Sequence, residues 1–166
     1  AQVVLGHMHF NGQGGPADYA EARRAYGLAA AQGHAEAQTM LAAMHFYGEG
    51  GPKDFAEARR LLGLATAQGH AGAQARLGDM HLQGRGGPTD LAEARRLYEL
   101  ATAQGHTGVK PILDAINKAE AEQLAKEYAD ADAMMAQLLA EDEKEKAKSA
   151  AKSKKSAKKK KSASAA

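Results

Sequence analysis

The chain repeats itself every 36 residues, and this period limits what it can fold into more than any single motif does. GQGGP at Gly12–Pro16 returns as GEGGP at Gly48–Pro52 and as GRGGP at Gly84–Pro88. AQGH at Ala31–His34 returns at Ala67–His70 and Ala103–His106. A fixed period of this length marks stacked supersecondary units, none of which buries its apolar face alone. The units are residues 1–34, 35–70 and 71–106. The first starts inside a helix, since Ala1-Gln2 matches Ala37-Gln38, so further repeats or a cap are expected upstream and three is a lower bound.

The middle unit shows the local physics. Ala35–Tyr47 predicts a helix, with Ala37, Leu41, Met44 and His45 on one face at three- and four-residue spacing. Gly48, Gly50, Gly51 and Pro52 stop it, because glycine admits positive φ and proline withdraws an amide donor. Asp54-Phe55-Ala56-Glu57 reads as a capping box: the Asp54 carboxylate accepts from the Glu57 amide, and Glu57 reaches back to the Asp54 amide. Asp18/Glu21 and Asp90/Glu93 repeat it. The second helix, Phe55–Gln68, turns Phe55, Ala58, Leu61, Leu62 and Ala65 inward, and Gly69 ends it as a left-handed cap with His70 just beyond.

Composition agrees. Alanine is abundant, aromatics are 5% of residues, and Val and Ile are sparse, which favours close-packed helices over strands. The chain is expected to be all-α, an α/α solenoid of helix-turn-helix repeats. Without cysteine it forms no disulfide or thiolate metal site, which fits a reducing compartment. No apolar run of about 18 residues exists to span a membrane, and AQVVLGHMHF is too short and polar for a signal peptide.

The run AxAQxxL(G)xMHxxGxGGPxDxAEAxxLxxLAxAQG resembles the Sel-1-like repeat family, relatives of tetratricopeptide repeats, over residues 1–106. The resemblance implies a right-handed superhelix whose first helices line a concave, peptide-sized groove. Three departures stand out: Gly15, Gly51 and Gly87 where Val is common, His9, His45 and His81 where Tyr is usual, and Ala25, Leu61 and Leu97 where Trp is usual. They predict a smaller core with the fold unchanged.

After the third unit the register lapses. Thr107–Asn117 begins like a fourth first helix, with Leu113 in register with Leu77, but no GxGGP follows. Residues 107–146 read as one or two helices opened by Pro111, with an apolar stripe of Leu124, Tyr128, Ala131, Met135 and Leu138. One reading is a capping helix that seals the last repeat; the other is a short coiled-coil or partner-docking helix.

Charge divides sharply. Residues 1–143 hold 12 Lys/Arg against 19 Asp/Glu, whereas residues 144–166 hold 10 Lys against one Glu. Residues 147–166 contain only Lys, Ser and Ala, so a disordered basic tail is expected. Lys154, Lys155, Lys158, Lys159, Lys160 and Lys161 form a cluster suited to a nuclear localisation signal or an anionic surface, or one that simply solubilises. It lacks interleaved aromatics, so no specific nucleic-acid partner is expected and any contact with nucleic acid would be non-specific and salt-sensitive.

Seven histidines raise a metal hypothesis, but repeat-related helices lie on the order of 10 Å apart whereas zinc ligands lie about 2 Å from one ion. His9, His45 and His81 read instead as packing residues. His34, His70 and His106 read as helix C-terminal residues that favour the dipole when protonated. The scattered hydroxyls offer no nucleophile motif, and the thrice-repeated GxGG lacks the Lys-Ser/Thr of a phosphate loop. No enzyme, metal or cofactor is expected.

The first helices are alike at Leu5/Leu41/Leu77 and Met8/Met44/Met80 but vary at Val3/Thr39/Ala75, His7/Ala43/Asp79 and Asn11/Tyr47/Gln83. These positions are four apart and form one stripe per helix. Packing would keep them alike, so they are expected to face either solvent or a ligand. The expected function is a protein-interaction scaffold, cytoplasmic or nuclear. The alternatives are a nucleic-acid-associated protein acting through its tail, and, by the family resemblance, an adaptor in ubiquitin-linked protein quality control at the endoplasmic reticulum, which would need an upstream signal.

Overall fold

In the computed structural model, backbone is described for residues 1–163, and side chains for residues 1–146 and 148. Six helices alternate with turns: α1 Gln2–Asn11, α2 Tyr19–Ala31, α3 Ala35–Tyr47, α4 Phe55–Ala67, α5 Ala71–Gln83 and α6 Leu91–Ala103. A 3₁₀ turn, Thr107–Val109, leads into α7, Lys110–Ala163. There is no strand among the described residues. Each of α2 to α5 packs on the helices before and after it in the chain, which is the all-α solenoid the period predicts. The compact units are residues 1–117 and 118–166.

The core of the first unit follows the apolar register. Ala22, Tyr26, Ala29, Ala37, Leu41, Met44, Ala58, Leu61, Leu62 and Ala65 are buried in one cluster. Each fully buried Leu or Met contributes about 1.5–3 kcal/mol. The alanines contribute less but let the helices approach. α1 packs on α2 and leaves Leu5 and Met8 exposed, although their register partners Leu41 and Met44 are buried.

The helix starts are half of the expected capping box. Asp18, Asp54 and Asp90 accept from the amides of Glu21, Glu57 and Glu93 at 3.0, 2.9 and 3.0 Å. The reciprocal half is not formed. The amides of Asp18, Asp54 and Asp90 instead donate to the carbonyls of His9, His45 and His81, at 2.9, 2.9 and 3.0 Å, closing the loop onto the preceding helix. The glutamates turn to Arg24, Arg60 and Arg96 three residues on.

His34, His70 and His106 lie just past the C-termini of α2, α4 and α6, as expected, their amides donating to the Ala29, Ala65 and Ala101 carbonyls at 3.2, 3.1 and 3.0 Å, and each also precedes the next helical segment as its N-cap; His70 Nδ1 accepts from the Ala73 amide at 3.1 Å. Val109, Leu113 and Ile116 are buried with Ala75, Ala94, Tyr98 and Ala101, but every described side chain beyond Ile116 is exposed, the stripe of Leu124, Tyr128, Ala131, Met135 and Leu138 included. Where disorder was expected, the helix runs on through Ala163, because Lys and Ala are strong helix formers and no Gly or Pro interrupts them. The side chains of Lys154, Lys155, Lys158, Lys159, Lys160 and Lys161 lie outside the described ones.

Candidate partner-binding face

The nine variable positions divide by their place along the first helices. At the N-terminal end Val3 is half-buried, whereas Thr39 and Ala75 are buried and so cannot touch a ligand. The Thr39 hydroxyl donates to the Ala35 carbonyl at 2.8 Å and lies 3.4 Å from His70 Nδ1. These two do not belong to an exposed stripe: Thr39 is buried against His70, and Ala75 is buried in the cluster of Ala94, Tyr98, Ala101, Val109, Leu113 and Ile116. At the C-terminal end Asn11, Tyr47 and Gln83 are exposed.

The middle triple, His7, Ala43 and Asp79, is half-buried and varies for a reason that lies in the second helices. Opposite it stand Tyr26, Leu62 and Tyr98. The Tyr98 hydroxyl donates to Asp79 Oδ1 at 2.7 Å, and burial, then the Asp79 carboxylate, raise its phenol well above the usual range. The His7 ring meets Tyr26 edge-on at 5.5 Å, and burial, then Glu36, push the Tyr26 phenol up to about 12. In the middle repeat neither partner is polar: Ala43 stands beside Leu62. Variation here is coupled packing, not freedom from it.

That coupling opens a pocket. Ala42, Ala43, Phe46 and Tyr47 of α3, Leu62 of α4, and Arg76, Asp79 and Met80 of α5 line a cleft of about 70 Å³. Phe46 meets Tyr47 and Phe55 edge-on at 5.0 and 5.2 Å, and the Arg85 guanidinium sits 4.8 Å over the Phe46 ring. Tyr47 is 58% exposed at the mouth. Phe46 and Arg76 were not among the expected site residues. Their equivalents (Phe10/Phe46/Leu82 and Met40/Arg76) show no pattern along one helix that would single them out.

Between repeats the structure adds a clasp. Arg23 Nη2 donates to His45 Nδ1 at 2.7 Å, and its guanidinium also reaches the Pro52 carbonyl at 3.4 Å. Arg59 does the same to His81 and Pro88, at 2.7 and 3.4 Å. An imidazole that accepts from a guanidinium is neutral; burial first, and then the facing arginine, hold His45 and His81 below the usual histidine range. No three His, Asp or Glu side chains converge on one point among the described residues.

The Sel1 repeat sequence profile matches residues 1–34, 35–70 and 71–106. The chain belongs to the Sel1 repeat family. Two solved structures are similar to it. One, a protective antigen present in uropathogenic Escherichia coli strains and displaying an SLR fold, is 38% identical with a TM-score of 0.62, over 63% of this chain and 22% of that one. The other, a Sel1 repeat protein from Oxalobacter formigenes, is 30% identical with a TM-score of 0.60, over 61% of this chain and 42% of that one. The chain thus spans less than half the length of either. No match is found among curated proteins. Sel1 repeats generally mediate protein–protein interaction, and Sel1 repeat proteins are typically non-catalytic scaffolds.

The clasp explains two of this chain's departures from the Sel1 pattern together. A Cβ on Gly51 would collide with the Arg23 guanidinium, and one on Gly87 with that of Arg59. The glycines therefore make room for the arginines that hold the histidines. Gly15 has nothing within 4 Å of its Cβ position.

Proposed function

We propose that this chain is a non-catalytic scaffold that binds a segment of a partner protein on the face formed by α1, α3 and α5. The observation that carries the reading is the pocket between α3 and α5, with Tyr47 exposed at its mouth and Asn11 and Gln83 exposed at the equivalent places on either side. An aromatic anchor beside a small cleft is the composition of protein-binding hot spots. The test is affinity capture with the full chain against a variant carrying Asn11→Ala, Tyr47→Ala and Gln83→Ala, all surface positions that leave the core intact. Loss of specific partners supports the face; an unchanged partner list removes it.

The Lys-rich end supports a second role, as an address. Residues 146–166 carry nine Lys and no acidic residue. A cytoplasmic or nuclear location is proposed on that basis, with the cluster from Lys154 to Lys161 as the signal. Deleting residues 147–166 tests it: a change in location with partners retained makes the tail an address, whereas loss of partners makes it part of the binding surface.

A further inference from the structure

We infer that residues 118–146 of α7 dock a basic amphipathic helix of a partner protein, one whose apolar stripe is edged by Lys or Arg. This surface lies in the second compact unit and is separate from the face formed by α1, α3 and α5.

The stripe is spaced as a helix seam. Leu124, Tyr128, Ala131, Met135 and Leu138 follow one another at alternating four- and three-residue steps, which keep side chains in line against a second helix. Met134 and Leu139 widen it in its C-terminal half. The six large side chains among these are each more than half exposed, and the two flexible thioethers adapt to an irregular partner surface. From Leu124 to Leu138 the stripe runs about 21 Å at 1.5 Å per residue, a length that a partner helix of about four turns covers. Six such side chains offer on the order of 600 Å², so an equal share from the partner brings the contact to about 1,200 Å², the lower edge of specific interfaces.

Charge selects the occupant. Residues 118–143 carry two Lys against eight Asp/Glu. Glu120, Glu127 and Glu141 stand along one edge of the stripe, Asp132 stands along the other, and Asp142 continues its line. No Lys or Arg lies three or four positions from Glu127 or Asp132, so no neighbour on the helix surface neutralises them. Of the two lysines, Lys126 stands on the opposite side of the helix and Lys118 pairs with Glu122 at 3.9 Å. An apolar stripe edged by carboxylates is complementary to one edged by cations.

The same carboxylates disfavour the other occupants. Two copies of this chain paired in parallel set Glu127 against Asp132 of the other copy, and antiparallel pairing centred on the stripe sets Glu120 near Glu141. An anionic membrane meets the same repulsion. The chain's own Lys-rich end continues the helix through Ala163 and holds only Lys, Ser and Ala from residue 147 on, with no large apolar side chain to fill the stripe.

The test uses three helical probe peptides of about 18 residues, titrated into the full chain and followed by NMR at the Tyr128 ring and the Leu124, Met135 and Leu138 methyls. The first carries Leu at the same alternating spacing with Lys along both edges. The second keeps the Leu stripe with Glu edges, and the third keeps the Lys edges with Ala in place of Leu. The first should shift all four residues and bind about tenfold more tightly than the second, the size of several rim ion pairs, with the gap narrowing at high salt. The third should leave the four residues unmoved. Glu127→Lys with Asp132→Lys should erase the preference. Met135→Gln with Leu138→Gln, at exposed positions and with a good helix former, should abolish binding at unchanged helicity. Equal binding of the two Leu peptides, a preference for Glu edges, no shift at the stripe, or binding that survives the glutamine variant overturns the proposal. A dimer in sedimentation that the glutamine variant dissolves also overturns it and assigns the stripe to a second copy. Capture by phosphatidylserine vesicles that the same variant loses overturns it in favour of a membrane.

Discussion

The ring of Tyr98 lies directly on the bare Cα of Gly78, so that a methyl group added there would come within 2.7 Å of its Cε1. Gly6 and Tyr26 repeat the relationship at 2.6 Å, and the middle repeat replaces both members at once with Ala42 and Leu62. Gly78→Ala should therefore destabilise the chain by about 1–3 kcal/mol through overpacking. Adding Tyr98→Leu copies the middle repeat and should recover part of that loss. A double-mutant cycle in urea measures it; strictly additive single effects would show that the two residues do not share a site.

The glycine beside the clasp makes a second pair. Gly51→Val, which restores the residue common in the family, forces the Arg23 guanidinium away from His45 and Pro52 and should cost stability through the hydrogen bonds it breaks. Gly15→Val should be close to neutral, since its Cβ would meet nothing. Thermal unfolding of the two variants side by side gives the answer, and equal effects would remove the steric account.

The histidines of the clasp set a pH dependence whose sign follows from their direction of shift. Burial, then Arg23 and Arg59, keep His45 and His81 below the ordinary value, while Asp54 and Glu57, or Asp90 and Glu93, pull weakly the other way. The unfolded chain therefore takes up protons first. The stability they contribute is present above the unfolded histidine value of about 6.5 and is lost as pH falls below it toward the folded value. Denaturation midpoints should drop between about pH 7 and about pH 5.5, and the drop should shrink in a His45→Gln, His81→Gln variant, whose amides still accept from the arginines. Glu57 and Glu93, held down mainly by hydrogen bonds from Arg60 and Arg96, act in a separate window below about 4.5.

The parts of this fold that the sequence made legible are those that recur without change. Asp18, Asp54 and Asp90 cap as their spacing requires, and α3 occupies Ala35–Tyr47 as its apolar period predicts. The binding stripe was misjudged where variation in one helix was compensated in another. His7/Ala43/Asp79 looks unconstrained when the first helices are compared alone. Set beside the residues 19 positions on, Tyr26/Leu62/Tyr98, it varies in step. The Arg23–His45 and Arg59–His81 pairs, 22 residues apart, were hidden for the same reason: each joins two repeats, and a comparison made unit by unit does not see across the boundary.

The end of the cap offers the last test. Leu113 and Ile116 are each 9% exposed in the cluster that covers the third repeat, whereas Leu124 and Met135, further along the same helix, are 51% and 59% exposed. Burial, not apolar character, decides what truncation costs. Leu113→Ala should lower stability by about 2–5 kcal/mol, through lost transfer energy and the cavity left behind. Leu124→Ala should stay within about 0.5 kcal/mol, since water already reaches most of that side chain. Urea unfolding of the full chain distinguishes the two. A cost at Leu124 comparable to that at Leu113 would mean that the stripe is covered in solution and that α7 seals more than the turns ending at Ile116.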